Sequence, residues 1–333
     1  MESFETHNSG INLTSTEDGI HLDGSILWLD SKNTGDISFL SNPQGATSRL
    51  ASRVIATEET VRILEAFRKK PKALVCQYNR PFAIGPLNME LLPSGVGLGG
   101  ASLWVETNNK KFLYAPNIQP LNSDICHHMQ LRKADILVLS AHTPYNPENG
   151  TTRKKEKERL LEKIREELRL SRHPVIYCEP YATAPELTKY LSSNGIPVNL
   201  APALHKINKI YESYGSTLGD YEQFNAEKAT DAVTLFPLPQ KGKEMRLSLP
   251  KRPIMSVVDN QAHSLGDGVF RKIENRFYIP SSCEGRDLKA IISQVDPDEI
   301  YIFGPYAKDY VRQLRSSAPE VKALFPRHLP SLF

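Results

Sequence analysis

Short segments in which apolar and polar residues alternate fill the first 115 residues of the chain. Alternation with a period of two is typical of half-buried β-strands, and turn-forming residues separate the segments. Strands are predicted at 25–30, 36–41, 73–78, 89–93, 101–106 and 111–116. One helix is predicted among them over 57–70, because Thr57 and Thr60 form a cap before a leucine-rich run that ends in lysines.

The pattern changes after residue 130. Residues 134–141 are apolar almost without alternation, which is typical of a strand buried on both faces. A strongly charged helix is predicted next, and strands then alternate with helices. The predicted strands are 173–180, 196–202, 252–259, 276–281 and 298–304, and the predicted helices are 151–172, 184–195, 204–215, 285–295 and 306–317. Residues 216–252 show no regular period and are predicted to form a surface loop or crossover. This order indicates an α/β protein.

Composition narrows the class of protein. The 333 residues are 40% hydrophobic and 24% charged, as in ordinary globular proteins, and the net charge of +3 neither requires nor excludes nucleic acid. No run approaches 18 apolar residues, and the N-terminus is polar and acidic. The four cysteines are widely spaced and form no CxxC pair, which is typical of a protein in a reducing compartment. They are Cys76, Cys126, Cys178 and Cys283. We therefore expect a cytoplasmic or nuclear protein that is not secreted.

A series of short segments carries the functional signal. The segments are DISFLSNPQGAT at 36–47, PSGVGLGGA at 93–101, YAPN at 114–117, ADILVLSAHTPY at 134–145, SSCEG at 281–285 and IYIFG at 300–304. Their order and spacing resemble the β-CASP branch of the metallo-β-lactamase fold. That family contains DNA cross-link repair exonucleases, the ligase-associated exonuclease and the cleavage factor of messenger-RNA 3′ ends. The resemblance covers roughly residues 20–316.

The resemblance implies an architecture. Family members have a metallo-β-lactamase αββα sandwich into which an α/β β-CASP cap domain is inserted, and residues 173–198 resemble the start of that cap. The implied domains are a first part of the sandwich at 1–170, the inserted domain at 171–255 and a second part of the sandwich at 256–333.

The resemblance also identifies the positions where active relatives hold their metal ligands. Here those positions are occupied by Asn42, Gln44, Ala46, Thr47, Val96, Asn117, Ser140, Cys283 and Phe303. A two-metal hydrolase needs imidazoles and carboxylates to hold its ions and activate a water. Valine, alanine and phenylalanine offer no donor atom, and neutral amide or hydroxyl oxygens are poor zinc ligands. Cys283 is the one competent zinc ligand of the set.

These replacements predict a catalytically inactive pseudo-nuclease without a metal cofactor. Such a chain is expected to act as the non-catalytic partner or scaffold of an active β-CASP nuclease, or of another protein that processes DNA or RNA. The glycines and apolar residues around the lost ligands still build the turns and strands of the scaffold.

Two alternatives remain open. The first is a metal-dependent nuclease or hydrolase whose zinc site is rebuilt from Cys283, His142, the 126–128 cluster or Asp124. The second is a module that binds DNA or RNA by itself, through a basic segment with few acidic residues. The residues predicted to contact nucleic acid are Lys241, Lys243, Arg246, Lys251 and Arg252.

Overall fold

The computed structural model describes residues 11–32, 36–46, 51–67, 69–107, 110–121, 123–143, 145, 153–226, 231–238, 249–259, 273, 275–315 and 320–326. Within these ranges the chain is a mixed α/β protein with three sheets and six helices. None of those helices has both the length and the apolar character needed to cross a membrane.

Strands of the N-terminal part form a six-stranded sheet in sequence order. Its members are β1 (Leu13–Ser15), β2 (Ile20–Leu22), β3 (Leu27–Leu29), β4 (Ile37–Phe39), β5 (Arg53–Ala56) and β6 (Lys72–Val75). The first three strands pair antiparallel, and the last four pair parallel.

A seven-stranded sheet combines the next strands with two from the C-terminal end. Its members are β7 (Phe82–Ile84), β8 (Leu87–Pro93), β9 (Ala101–Glu106), β10 (Lys111–Ala115), β11 (Ile136–Ser140), β18 (Glu299–Phe303) and β19 (Glu320–Leu324). The order is β19-β18-β11-β10-β9-β8-β7, so the C-terminal strands pair beside β11.

These two sheets pack face to face and are covered by helices on their outer faces. Phe39 and Ile55 of the first sheet share one apolar core with Met89 of the second. Helix α1 (Glu58–Ala66) places Leu64 on the outer face of the first sheet, beside Leu40. Helices α5 (Gly285–Val295) and α6 (Ala307–Leu314) cover the outer face of the second sheet.

Strand β11 lies between two cores. Ile136 and Val138 point into the core between the sheets, whereas Leu137 and Leu139 pack under α5 and α6. Because both faces of the strand are buried, its sequence lacks the alternation of the outer strands. The prediction that 134–141 forms a fully buried strand is therefore confirmed.

A third, fully parallel sheet follows the order β14-β13-β15-β12-β16-β17. Its strands are β12 (His173–Cys178), β13 (Val198–Leu200), β14 (Tyr221–Gln223), β15 (Val233–Pro237), β16 (Pro253–Asp259) and β17 (Asn275–Tyr278). Its core also contains apolar residues of α2 (Arg153–Arg169), α3 (Thr183–Ser193) and α4 (Pro202–Ser213).

The limits of this third unit differ from the predicted segment 171–255. Helix α2, predicted to belong to the first part, packs against β12 and β17 through Leu160, Leu161 and Ile164. The predicted boundary near residue 255 falls inside β16, and β17 extends the sheet to Tyr278. Resemblance placed the segment by its motifs, whereas strand pairing decides which residues share a core.

Two strands of the described residues lie inside 216–252, which was predicted to be a surface loop or crossover. They are β14, which pairs with β13, and β15, which pairs with both β12 and β13. The helix predicted over 57–70 is present, but it ends at Ala66, and Thr57 caps it by accepting a hydrogen bond from the Thr60 N–H.

Candidate functional site

A cavity of about 650 Å³ opens where β3, β4, β10 and β18 end. We call it the amide pocket, because three side-chain amides line it: those of Asn42, Gln44 and Asn117. Phe303 lines it as well, so four of the nine positions that hold ligands in the resembled family meet here. Asp30 and Tyr114 also line it, and neither was predicted from the sequence to belong to a site. His142 lines it too, although the sequence did not place it beside these amides.

Hydrogen bonds of the Asn42 side chain shape the part of the amide pocket that follows β4. The Asn42 side-chain oxygen accepts a hydrogen bond from the Gln44 N–H at 2.9 Å, which closes the turn that begins the short 3₁₀ helix Pro43–Ala46. The Asn42 amide nitrogen donates to the Ser41 hydroxyl at 3.2 Å. Asn42 therefore has a local structural role in addition to its position on the cavity wall.

A carboxyl and a phenol form the floor of the pocket. Asp30 accepts hydrogen bonds from the Ser41 N–H at 2.8 Å and from the Tyr114 hydroxyl at 2.9 Å. Desolvation raises the pKa of Asp30, although both hydrogen bonds oppose this effect. The pKa of Tyr114 is raised well above its usual range, first by burial and then by the nearby Asp30.

Aromatic rings form the adjacent wall. The Phe303 ring stacks on the Tyr114 ring with centroids 6.1 Å apart, and the His142 ring meets it edge-on at 6.0 Å. Part of the His142 ring reaches solvent, yet the protein around it desolvates the ring and lowers its pKa. Desolvation therefore disfavours the charged form of this ring.

Ser140 belongs to the same edge of the sheet. It ends β11, lies opposite Phe303 on β18, and its hydroxyl donates to the Pro116 carbonyl oxygen. That hydrogen bond connects β11 to the turn that carries Asn117. Ser140 therefore has a structural role at this edge of the sheet.

The remaining predicted positions lie elsewhere. Val96 is 4% exposed and packs with Ile63 and Tyr211 in an apolar cluster between the sandwich and the third unit. Cys283 packs under the second sheet, and desolvation raises its pKa to about 12. Ala46 belongs to the 3₁₀ turn, and Thr47 lies outside the described residues.

The donor set of the amide pocket does not fit a dinuclear zinc centre. Two zinc ions need several imidazole or carboxylate ligands close together, and here three amides offer neutral oxygens beside the Asp30 carboxyl and the His142 ring. Across the described ranges, no three His, Cys, Asp or Glu side chains converge closely enough to bind one ion together.

The residues proposed for a rebuilt zinc site are not in one place. His142 lines the amide pocket, whereas Asp124 lines a second cavity. The Cys126 thiol lies 3.6 Å from the Gly95 carbonyl oxygen, and His127 contacts the Tyr78 ring edge-on at 5.3 Å. Cys126 and His127 therefore have local packing partners.

The second cavity, about 470 Å³, lies between the glycine-rich loop after β8 and helices α2 and α3. We call it the cleft. Glu186 binds Arg153 in a bidentate ion pair and also binds Lys157, and all three side chains are largely buried. Lys154 and Lys189 also line the cleft. The strongly charged helix predicted at 151–172 therefore has one edge that faces the cleft.

The glycine-rich loop itself is clamped in place by hydroxyl groups. The Gly99 carbonyl oxygen accepts hydrogen bonds from the hydroxyls of Thr57 and Thr60 at 2.8 and 2.9 Å. Gly97 has φ of +88°, and a Cβ at this position would lie 2.8 Å from the Tyr211 hydroxyl oxygen. The loop needs glycine here for both its conformation and its close packing.

Of the residues predicted to contact nucleic acid, Lys241, Lys243 and Arg246 lie outside the described residues. Lys251 and Arg252 are exposed and immediately precede β16. In the parallel sheet this is the same end as the start of β12, whereas the cleft lies near the residues that follow β12. Lys251 and Arg252 therefore lie at the end of the sheet opposite the cleft.

The fold and these two cavities define a mixed α/β protein with an amide-lined pocket and a separate cleft. No protein-family profile matches the chain. The chain is similar to a probable DNA ligase of Opitutus terrae (strain DSM 11246 / JCM 15787 / PB90-1), with 20% identity over 151 residues. That match covers 45% of this chain and 15% of the ligase, so the chain spans a small part of that relative.

Among solved structures, the fold is similar to the crystal structure of a protein of unknown function from Enterococcus faecalis V583. The TM-score is 0.57 with 13% identity, and the match covers 87% of this chain and 79% of that one. This similarity concerns the fold alone.

Proposed function

We propose that the chain is a catalytically inactive β-CASP pseudo-nuclease that serves as a non-catalytic partner or scaffold subunit in nucleic-acid processing. The observation that carries this proposal is the convergence of Asn42, Gln44, Asn117 and Phe303 on one pocket. The resemblance implies metal ligands at all four positions, and none of the four residues is an imidazole or a carboxylate.

The arrangement of layers supports the same proposal. Two mixed sheets share one core, helices cover both outer faces, and a parallel sheet with its own helices is inserted in the chain between β11 and β18. An αββα sandwich with an inserted α/β cap is the architecture that the resemblance implies.

The similarity to a probable DNA ligase favours DNA over RNA as the nucleic acid concerned. The cleft supports a contribution to binding, because its lining carries four cationic side chains (Arg153, Lys154, Lys157 and Lys189) and three acidic ones (Asp124, Glu158 and Glu186). The proposed role is therefore a partner that holds nucleic acid without cleaving it.

The first test measures metal content and nuclease activity together. The purified, untagged chain is analysed for transition metals and assayed with zinc and manganese on single- and double-stranded DNA and RNA. We expect less than about 0.1 metal ion per chain and no cleavage. One or two ions per chain, lost in a Cys283→Ala variant, would favour the hydrolase with a rebuilt zinc site instead.

The second test concerns the partner. The tagged chain is isolated from its native host at low salt, and cross-linked proteins are identified by mass spectrometry. We expect an active nuclease of the metallo-β-lactamase fold whose rate or substrate affinity changes when the purified chain is added. If that nuclease neither binds the chain nor responds to it, the scaffold role is wrong.

A further inference from the structure

The amide pocket has a charge pattern that its loss of metal ligands does not explain. Among the described residues that line it, Asp18 and Asp30 contribute carboxyl groups and Lys32 contributes one ammonium group. Desolvation disfavours the charged form of the His142 ring and raises the pKa of Asp30, so the Asp30 carboxyl loses its proton most readily beside a bound cation. The cavity therefore retains a preference for a positively charged ligand.

Asp30 is held in an uncommon conformation at the bottom of this cavity. Its φ is +48°, in the left-handed region, where a non-glycine residue is infrequent and strain is most often found at functional sites. Two donors, the Ser41 N–H and the Tyr114 hydroxyl, fix its carboxyl group. No described cationic side chain forms an ion pair with it, so a buried carboxyl faces the cavity without a counter-charge.

A flat apolar surface adjoins that carboxyl. Tyr114 donates to Asp30 at 2.9 Å through its hydroxyl, and its ring stacks on Phe303. Phe303 is half-buried and lines the cavity. A planar cation that stacks on an aromatic ring while donating to a carboxylate is the recognition mode that suits a guanidinium group.

The amides complete the recognition. Neither the Gln44 nor the Asn117 side chain makes a hydrogen bond to another described residue, so their oxygens are available to accept from a ligand. A guanidinium has five N–H donors and no acceptor, which matches a wall of carboxyl and amide oxygens. An ammonium would satisfy fewer of them and would not stack.

From this geometry we infer that the amide pocket binds a guanidinium group, carried by a free small molecule or by an arginine side chain of a partner protein. Phosphate-bearing ligands are disfavoured, because the exposed Asp18 carboxylate on the cavity wall repels anions. The volume of about 650 Å³ is within the range of small-ligand sites.

The test compares two capped probes that have nearly the same shape and differ in the charge of the side chain. The full chain, in buffer with EDTA, is titrated by calorimetry with N-acetyl-arginine amide and with its isostere N-acetyl-citrulline amide. EDTA removes transition metals, so the result does not depend on whether the proposed pseudo-nuclease assignment holds. We expect the arginine probe to bind at least about tenfold more tightly than the citrulline probe.

A pair of variants locates the binding site. Asp30→Asn is expected to weaken binding of the arginine probe by about tenfold or more, while circular dichroism shows an unchanged fold. Asp220→Asn is the matched control, because Asp220 is exposed and lies outside the amide pocket. A Phe303→Leu variant, which keeps an apolar side chain but removes the ring, is expected to weaken binding less than Asp30→Asn does.

Three results would overturn the inference: no binding of the arginine probe, equal binding of the citrulline probe, or equal effects of Asp30→Asn and Asp220→Asn. The two sources of guanidinium are separated by n-propylguanidine, which has the same single charge as the arginine probe but no backbone amides. Tighter binding of n-propylguanidine than of the arginine probe supports a free small molecule, and the reverse order supports a partner's arginine.

Discussion

The Tyr211 hydroxyl oxygen accepts a hydrogen bond from the Leu98 N–H at 2.9 Å, although the two residues are 113 positions apart. The same hydroxyl donates to the Tyr181 carbonyl oxygen at 2.8 Å, and Tyr181 in turn donates through its own hydroxyl to the Leu98 carbonyl oxygen. These buried hydrogen bonds connect the glycine-rich loop of the sandwich to the third unit.

Removing this hydroxyl should destabilise the protein. In Tyr211→Phe the Leu98 N–H is left buried and unpaired, so we expect the free energy of unfolding to fall by about 1–3 kcal/mol. Urea denaturation measures the change. Tyr214→Phe is the control, because the Tyr214 hydroxyl bonds Glu58 at an exposed site and its loss should cost less than about 0.5 kcal/mol. Equal costs would contradict the structural role of Tyr211.

Alanine substitutions at two glycines with nearly the same φ distinguish the cost of backbone strain from the cost of a steric clash. Gly97 and Gly215 have φ of +88° and +90°, but a Cβ on Gly97 would meet the Tyr211 hydroxyl, whereas one on Gly215 meets nothing within 4 Å. Gly215→Ala should cost about 1–2 kcal/mol from conformation alone. Gly97→Ala should cost clearly more, as measured by thermal or urea unfolding. A cost for Gly97→Ala no larger than for Gly215→Ala would contradict the close packing of this loop.

The raised pKa of Asp30 predicts a pH dependence. Because burial raises its pKa in the folded chain, the folded state keeps a proton that the unfolded state loses first. The stabilisation is present at low pH and is lost as pH rises from the unfolded pKa through the folded pKa. Asp30→Asn has no such loss, so its stability relative to the wild type should increase over that window.

Urea denaturation of both proteins between about pH 4 and 8 checks this, with a slope difference of at most about 1.4 kcal/mol per pH unit. Asp220→Asn, which changes an exposed carboxylate, should follow the wild-type curve. Parallel curves for Asp30→Asn and the wild type would show that Asp30 is not perturbed.

Burial should make the Cys283 thiol unreactive. Desolvation raises its pKa to about 12, which lowers the thiolate fraction at pH 8 from roughly a quarter for a free thiol to roughly one in ten thousand. We expect iodoacetamide to leave Cys283 unmodified in the folded protein and to modify it in guanidinium chloride. Rapid modification of the folded chain, mapped by mass spectrometry, would contradict this placement.

Two pairs of lysine and arginine residues distinguish the routes for nucleic acid. If the cleft holds the phosphates, the double variant Lys154→Gln, Lys189→Gln should have a shallower plot of log binding constant against log salt concentration. The slope should decrease in magnitude by about 0.7–0.9 for each phosphate that is no longer neutralised. Lys251→Gln with Arg252→Gln, at the opposite end of the third sheet, should have a smaller effect. Fluorescence anisotropy at several salt concentrations measures both, and the reverse order would favour the basic segment predicted from the sequence.

The sequence by itself determined much of the local structure. Helix α5 has the predicted bounds Gly285–Val295, and β11 lies within the predicted 134–141, because an amphipathic period and an unbroken apolar run report the immediate surroundings of each residue. The residue types at the nine positions where the resemblance implies metal ligands can also be read without coordinates.

Only the tertiary structure decided which of these residues meet. Asp30 contacts Tyr114 across 84 positions, and Val96 lies in an apolar cluster away from the amide pocket that contains Asn42. Strand β15 is buried between β12 and β13, although its stretch of sequence shows no clear period. Periodicity depends on neighbours along the chain, whereas a binding site depends on the register of strands that pair over long separations.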